Sequence, residues 1–261
     1  FILQDKYMSL SGKTLCVIGA NGYVGSYVAQ QALSLGAKVL SVSRSGRPPH
    51  KSGPWAQQVK WHQGNSLNPE GFEDVLKESD AVVHTVGTLI DTSITQFKKP
   101  GEPGTYENMN RDPAIAVARK LAEIGNKKMI FLSASKSIPL VPRYLAAKLE
   151  AEEFIFSQKT LRATILRPGV ITTKDIPFKY ALKYPTACYA AVFNAVYKVV
   201  PDSKMKDFLS NFDVDYPIDV RAVATAAVIS AFDPKFDGKI LFNADMESLK
   251  NMLDTKGYKF P

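Results

Sequence analysis

Short apolar runs alternate with amphipathic stretches through the first two-thirds of the chain. The runs at 14–18, 38–42, 59–62, 81–86, 128–132 and 163–166 are strand-length and rich in branched aliphatic residues. Several are apolar almost throughout rather than at every second position, as a strand covered on both faces requires. Between them, 24–35, 71–77, 106–124 and 144–156 carry apolar residues at helical spacing, and Gly36 and Gly125–Asn126 read as helix stops. Strand followed by helix, repeated, predicts βαβ units and a parallel sheet.

Beyond Arg167-Pro168-Gly169 the pattern changes. Residues 176–212 are rich in aromatics without clean alternation, which predicts a small helical cap over the carboxyl edge of the sheet. A further helix is expected at 219–232, a last short strand at 238–242 and a tail over 246–261. The chain then reads as one domain over 1–261, with a core at about 13–170 and the cap and last elements at about 171–245. Its length suffices for a single large α/β core. No run of about twenty uncharged apolar residues, the length a bilayer-spanning helix needs, is present.

The first strand runs directly into Gly19-Ala-Asn-Gly22-Tyr-Val-Gly25, which opens a helix. Glycine serves three purposes in such a turn: an unusual backbone angle, close approach of main chain to a pyrophosphate, and tight helix–strand packing. The helix start supplies N–H groups and a positive dipole end to phosphates. Strand, turn and helix in this order predict dinucleotide binding on a Rossmann-type, doubly wound parallel sheet, with Gly19, Asn21, Gly22, Tyr23, Val24 and Gly25 against the cofactor. At the end of strand two the chain reads Ser43-Arg44-Ser45, where NAD-preferring sites usually carry Asp or Glu. A guanidinium flanked by hydroxyls suits a 2′-phosphate, so NADP(H) is the expected cofactor.

Charge and composition add less. The net charge of +8 and pI near 9.3 arise from lysines scattered along the chain, and 45% of residues are hydrophobic. That balance suits anionic cofactors, acidic partner subunits or anionic lipid. No compact basic block with interleaved aromatics is present, so no nucleic-acid partner is expected. Cys16 and Cys188 form no CxxC pattern, and His50, His62 and His84 have no ligand spacing, so neither a disulfide framework nor a metal site is expected. Cys16, within strand one, should pack as a small hydrophobe. The chain opens on Phe1; a removed targeting segment or a trimmed terminus would each account for this.

Tyr144-Leu-Ala-Ala-Lys148 places a phenol and an ammonium on one helical face, just after strand five. A neighbouring cation is expected to lower a tyrosine's pKa toward the working range, which suits it to proton transfer.

The glycine turn, Tyr144/Lys148 and Arg167-Pro168-Gly169 together resemble the short-chain dehydrogenase/reductase superfamily in its extended and atypical branches, over about 14–242. The resemblance implies that Tyr144 is the general acid/base and that Lys148 holds the nicotinamide ribose. It further implies that Ser135 hydrogen-bonds the reacting carbonyl and that Asn110 lies near the proton path. Asn65 would touch adenine, while Gly87 and Pro168 would line the cofactor. The interval from Ser135 to Tyr144 is shorter than in active extended members, and Ser133 is an equally placed hydroxyl.

A narrower resemblance rests on Ser41-Val-Ser-Arg-Ser-Gly-Arg-Pro-Pro-His50, the Trp55 and Trp61 pair, Tyr106-Glu-Asn-Met-Asn110 and Ser133-Ala-Ser-Lys-Ser-Ile-Pro-Leu-Val-Pro142. These runs are similar to the atypical, ubiquinone-linked mitochondrial branch: the dehydrogenase-like protein of the coenzyme Q synthesis complex and, more loosely, the dehydrogenase-like accessory subunit of respiratory complex I. That resemblance implies a cofactor that is structural or slow to turn over. It also implies membership of a large inner-membrane assembly on the matrix side. Residues 176–198 carry aromatics and small residues on more than one helical face with lysines at the flanks, which suits a lid packed on the sheet, shelter for a hydrophobic substrate, membrane-surface contact or docking on a partner. A free-standing NADPH-dependent reductase of a hydrophobic carbonyl or quinone is the alternative; a basic binder of RNA or membrane surfaces rests on net charge alone.

Overall fold

A computed structural model of the chain describes residues 9–50, 52–88, 98–135, 142–175, 188, 215–258 and 260. The cap expected at 176–212 lies outside the described residues apart from Cys188, and so does the membrane contact expected at 176–198.

The sheet strands are β1 (Thr14–Ile18), β2 (Lys38–Ser43), β3 (Val59–Gln63), β4 (Ala81–His84), β5 (Lys127–Leu132), β6 (Leu161–Leu166) and β9 (Lys239–Leu241). They form one parallel seven-stranded sheet in the order β3-β2-β1-β4-β5-β6-β9. A separate parallel pair joins β7 (Ile171–Thr172) to β8 (Ile218–Asp219). The expected Rossmann-type sheet is thus present.

Two apolar layers hold it. Leu15, Val17, Ala81, Val83 and Ile130 point to one face, covered by α1 (Tyr23–Ser34), α5 (Val220–Phe232) and α6 (Asn243–Thr255). Cys16, Ile18, Val82, Met129 and Phe131 point to the other, under α2 (Glu73–Glu78), α3 (Asp112–Ile124) and α4 (Pro142–Ser157). Adjacent residues on a strand bury against opposite layers, so both periodic positions must be apolar. Cys16 is fully buried and free, packed as a hydrophobe.

Three boundaries differ from expectation. The helix expected over 106–124 is preceded by a widened π turn, Glu107–Arg111, and becomes α-helical only at Asp112. Pro113 has no N–H for the carbonyl four residues back, and its ring crowds that carbonyl; the wide turn relieves both. The stretch expected as a tail over 246–261 is mostly α6, with Met246, Leu249 and Leu253 buried on one side. Asp245 accepts the backbone N–H of Phe242 at 2.9 Å and closes the start of that helix. β4 stops at His84 rather than at residue 86.

The chain crosses from β3 to β4 over β2 and β1, so the loops after β1 and β4 diverge. Ile18 lies level with Val42 and His84, and Phe131 with His84 and Ile165. The strand ends therefore form one ledge, and the crevice above it is where ligands bind in open α/β sheets.

Candidate functional site

The glycine turn sits on that ledge. Gly19 adopts a φ of +97°, a left-handed angle that favours glycine. The N–H of Gly22 donates to the Gly19 carbonyl at 2.9 Å, closing the turn. Gly22 precedes α1 and offers no side-chain cap, so the positive end of the helix faces the crevice. A Cβ at Gly25 would stand 2.2 Å from the Gly19 carbonyl oxygen and 2.7 Å from Thr85 Oγ1; one at Gly19 would stand 2.8 Å from that same hydroxyl. Thr85, which the sequence did not flag, donates its hydroxyl to the Ile18 carbonyl at 2.9 Å and fills the floor of the turn. This close-packed cradle, open at a helix start, fits a pyrophosphate.

The loop after β2 is tied to the turn. Asn21 Nδ2 donates to Ser45 Oγ at 3.3 Å, and the Gly46 N–H donates to the buried Ser43 hydroxyl at 3.2 Å. Gln63 Nε2, at the end of β3, donates to the Arg44 carbonyl at 3.2 Å. The backbone of Arg44 is thereby fixed while its side chain is exposed. Asn65 uses its Oδ1 to accept the Leu67 N–H at 3.1 Å, an Asx-type turn beside the same loop.

On the other side of the crevice, Gly87, Asn110 and Lys148 converge. A Cβ at Gly87 would meet Asn110 Oδ1 at 2.6 Å and Lys148 Nζ at 3.0 Å. Asn110 is fully buried in the π turn, accepts the Thr88 N–H at 3.0 Å and donates to the Thr88 carbonyl at 3.1 Å. Lys148 is 3% exposed, donates to the Leu132 carbonyl at 2.9 Å and lies 4.9 Å from the Phe131 ring centre. Burial pushes its ammonium down to about 7.

Tyr144 behaves differently from expectation. Lys148 Nζ lies 6.0 Å from the Tyr144 ring centre, but burial, with Tyr106 beside it at 5.8 Å, pushes the phenol up to about 12. The cation was expected to lower it; desolvation of both groups wins because the phenolate loses its hydration and the ammonium is itself destabilised. His84 sits below in the same layer, its ring 5.9 Å from Phe131, pushed down to about 3 by burial and by Lys148, and therefore neutral.

Between the two candidate serines, Ser133 is committed: its buried hydroxyl donates to the Glu152 carboxylate. Ser135 is bound through its backbone, its N–H donating to the Pro168 carbonyl at 3.0 Å, and this contact brings the Pro168 turn beside it. Sequence reasoning also missed Glu152, since nothing local marks a carboxylate whose partners lie on distant strands.

The cradle and the level strand ends can be set beside known proteins. The sequence profile described as NAD(P)H-binding matches residues 19–187. This chain belongs to the NAD(P)H-binding family. Among relatives of this family member is MIOREX complex component 2 of Saccharomyces cerevisiae, 31% identical over 197 residues that cover 59% of this chain and 71% of that protein. Another is NADH dehydrogenase [ubiquinone] 1 alpha subcomplex subunit 9, mitochondrial, of Arabidopsis thaliana, 28% identical over 64% of this chain and 40% of that protein. The second of these relatives is mitochondrial by name, as is the branch that the motifs resembled. In fold, the chain is similar to UDP-glucose 4-epimerase of Thermus thermophilus in complex with NAD, with a TM-score of 0.61, 17% identity, and coverage of 94% of this chain and 84% of that one.

Proposed function

We propose that this NAD(P)H-binding protein is an accessory member of a mitochondrial assembly of the ubiquinone system, holding NADP(H) mainly as a structural cofactor or turning it over slowly. The observation that carries this reading is the close-packed glycine turn, which leaves no room for a side chain at Gly19 or Gly25 and opens at the start of α1. Burial that raises the Tyr144 phenol accords with slow turnover. Relatives whose names place them in multi-subunit complexes support the assembly role. They also support a mitochondrial location, which we take to be the matrix side of the inner membrane.

In this reading the turn at Gly19, Gly22 and Gly25, with Asn21, Tyr23 and Val24, holds the pyrophosphate, and Asn65 lies against adenine. Ser43, Arg44 and Ser45 hold the 2′-phosphate. Gly87, Pro168, Tyr144 and Lys148 line the nicotinamide side, with Asn110 locking the Gly87 loop. When bound, the cofactor supplies a hydride donor or acceptor at the nicotinamide ring. The convergence of Gly87, Asn110, Lys148 and Tyr144 favours the second reading, a free-standing reductase of a hydrophobic carbonyl or quinone.

Co-migration with a large complex on native gels, together with NADPH retained through purification and negligible NADPH oxidation by quinones or aldehydes, is the expected result. A monomer or dimer that turns NADPH over rapidly would overturn it. Tyr144→Phe should leave NADPH affinity and assembly intact while removing whatever slow turnover exists, as measured by calorimetry and NADPH absorbance. For cofactor choice, Arg44→Ala should weaken NADPH roughly ten- to a hundredfold and leave NADH nearly unchanged, as loss of a charge-assisted contact of ~1.5–3 kcal/mol requires. Equal affinity of the parent protein for both nucleotides would refute the 2′-phosphate site.

A further inference from the structure

Two charged side chains on the buried face of α4 reach adjacent residues at the end of β5. Lys148 donates to the Leu132 carbonyl at 2.9 Å, and Glu152, one helical turn on, accepts the Ser133 hydroxyl. Glu152 is 3% exposed, so its carboxylate must be satisfied within the fold. Arg167, at the end of β6, supplies the rest: its Nε lies 3.1 and 3.0 Å from the two carboxylate oxygens. The same residues hold the backbone ledge, the Ser133 N–H donating to Leu166 and the Arg167 N–H to Leu241, each at 2.8 Å. The carboxylate thus joins α4 to the ends of β5 and β6, one helical turn from Lys148.

A buried ion pair of this kind is weak evidence for stability by itself, because desolvation offsets its attraction. Its position says more. Residues four apart on a helix share a face, so Glu152 and Lys148 lie one turn apart on the buried side of α4. Around that ammonium the Leu132 carbonyl and the Phe131 ring face favour the charge, while His84 from β4 is neutral and Tyr144 is a protonated phenol, so Glu152 is the carboxylate nearest to it on the buried side of α4. Arg167 bonds both Glu152 oxygens and competes for the carboxylate.

We propose that Glu152 is a positioning residue for Lys148: held by Ser133 and Arg167 one helical turn away, its charge steadies the Lys148 ammonium on the Leu132 carbonyl at the nicotinamide side of the crevice. The functional meaning rests on reading Lys148 as the cofactor-side cation, but the anchoring can be measured without nucleotide.

The test is the titration of Lys148 by NMR in full-length protein carrying 15N-labelled lysine, with the signal assigned from the spectrum of Lys148→Met. Glu152→Gln, which keeps the shape and removes the charge, should move the Lys148 titration down by about one pH unit, a tenfold loss of ammonium at a given pH. Arg167→Gln should move it up, because the carboxylate is then less shared. Glu152→Asp should restore most of the parent value. A merely structural role would lower the melting temperature in these variants and leave the Lys148 titration where it was, and that result overturns the proposal. Should Glu152→Gln fail to fold, Glu152→Asp decides: drawing the charge back by one methylene should still move the Lys148 titration slightly down, and no movement overturns the proposal. NADPH affinity is measured separately: a parent protein that fails to bind NADPH while its Lys148 still responds to these substitutions would sink the nucleotide reading and leave the anchoring standing.

Discussion

Gly25→Val should deprive the protein of both its nucleotide and a large part of its stability, whereas Gly22→Ala should deprive it of the nucleotide alone. The two glycines belong to one turn. Their surroundings differ. A Cβ at Gly25 would stand 2.2 Å from the Gly19 carbonyl oxygen and 2.7 Å from the carbon behind it. These are backbone atoms of a closed turn and cannot swing aside, so α1 must lift from the sheet, where Val28, Ala29 and Ala32 are fully buried against α5. Overpacking of this severity costs on the order of 3 kcal/mol or more. For a chain of this size that lowers the melting temperature by roughly 6–12 °C. A Cβ at Gly22 would stand 3.2 Å from the same oxygen, which a slight adjustment relieves. That methyl group would instead project at the helix start, where a pyrophosphate has to approach the amides. Thermal melts and NADPH calorimetry on both variants check this. Equal losses of stability would mean that the packing role of Gly25 is wrong, and unchanged NADPH affinity in Gly22→Ala would remove the cradle.

The glycine turn was legible because its constraints are local. Strand, turn and helix follow one another within a few residues, and each glycine answers to atoms in that same stretch or in the neighbouring strand. The sheet was legible for a related reason: Leu15/Val17 and Cys16/Ile18 face opposite layers, and only a strand covered on both sides needs both sets apolar. What could not be read depends on atoms far away in the chain. Ser133 and Ser135 look equivalent until Glu152, on a different element, accepts the first hydroxyl. The Tyr144 and Lys148 spacing was visible, but whether the cation lowers the phenol depends on how much water both lose, which is a property of the packed site. The α6 helix is a different case. Asp245, three residues after Phe242 and ahead of Met246, Leu249 and Leu253, is a start signal followed by helical spacing, and that pattern stood in the sequence.

Lys148→Met should yield a more stable protein that binds NADPH poorly. The parent protein places an ammonium in a site with 3% exposure, and burial lowers its ionisation from 10.5 to about 7. The unfolded chain therefore binds more protons than the folded one between those values, and stability rises with pH across that window. The contribution of Lys148 is most unfavourable below pH 7, where the folded protein must bury a charge. It disappears above pH 10.5. Methionine has nearly the same length and no charge, and would rest on the Phe131 ring that Lys148 now covers. Setting the lost bond to the Leu132 carbonyl against the removed desolvation leaves a gain on the order of 3 kcal/mol at pH 6. That gain should shrink as pH rises from 7 toward 10.5, so denaturation of parent and variant at pH 6 and pH 9.5 gives a sign that mere improvement of packing would not. NADPH affinity should fall in the variant at every pH, and in the parent it should weaken as pH rises through 7, when the cation facing the nicotinamide ribose is lost. A variant destabilised at pH 6, or one binding NADPH like the parent, would mean that Lys148 is held there for packing rather than for charge. The opposite signs on stability and binding are what a functional cation buried against its own solvation requires.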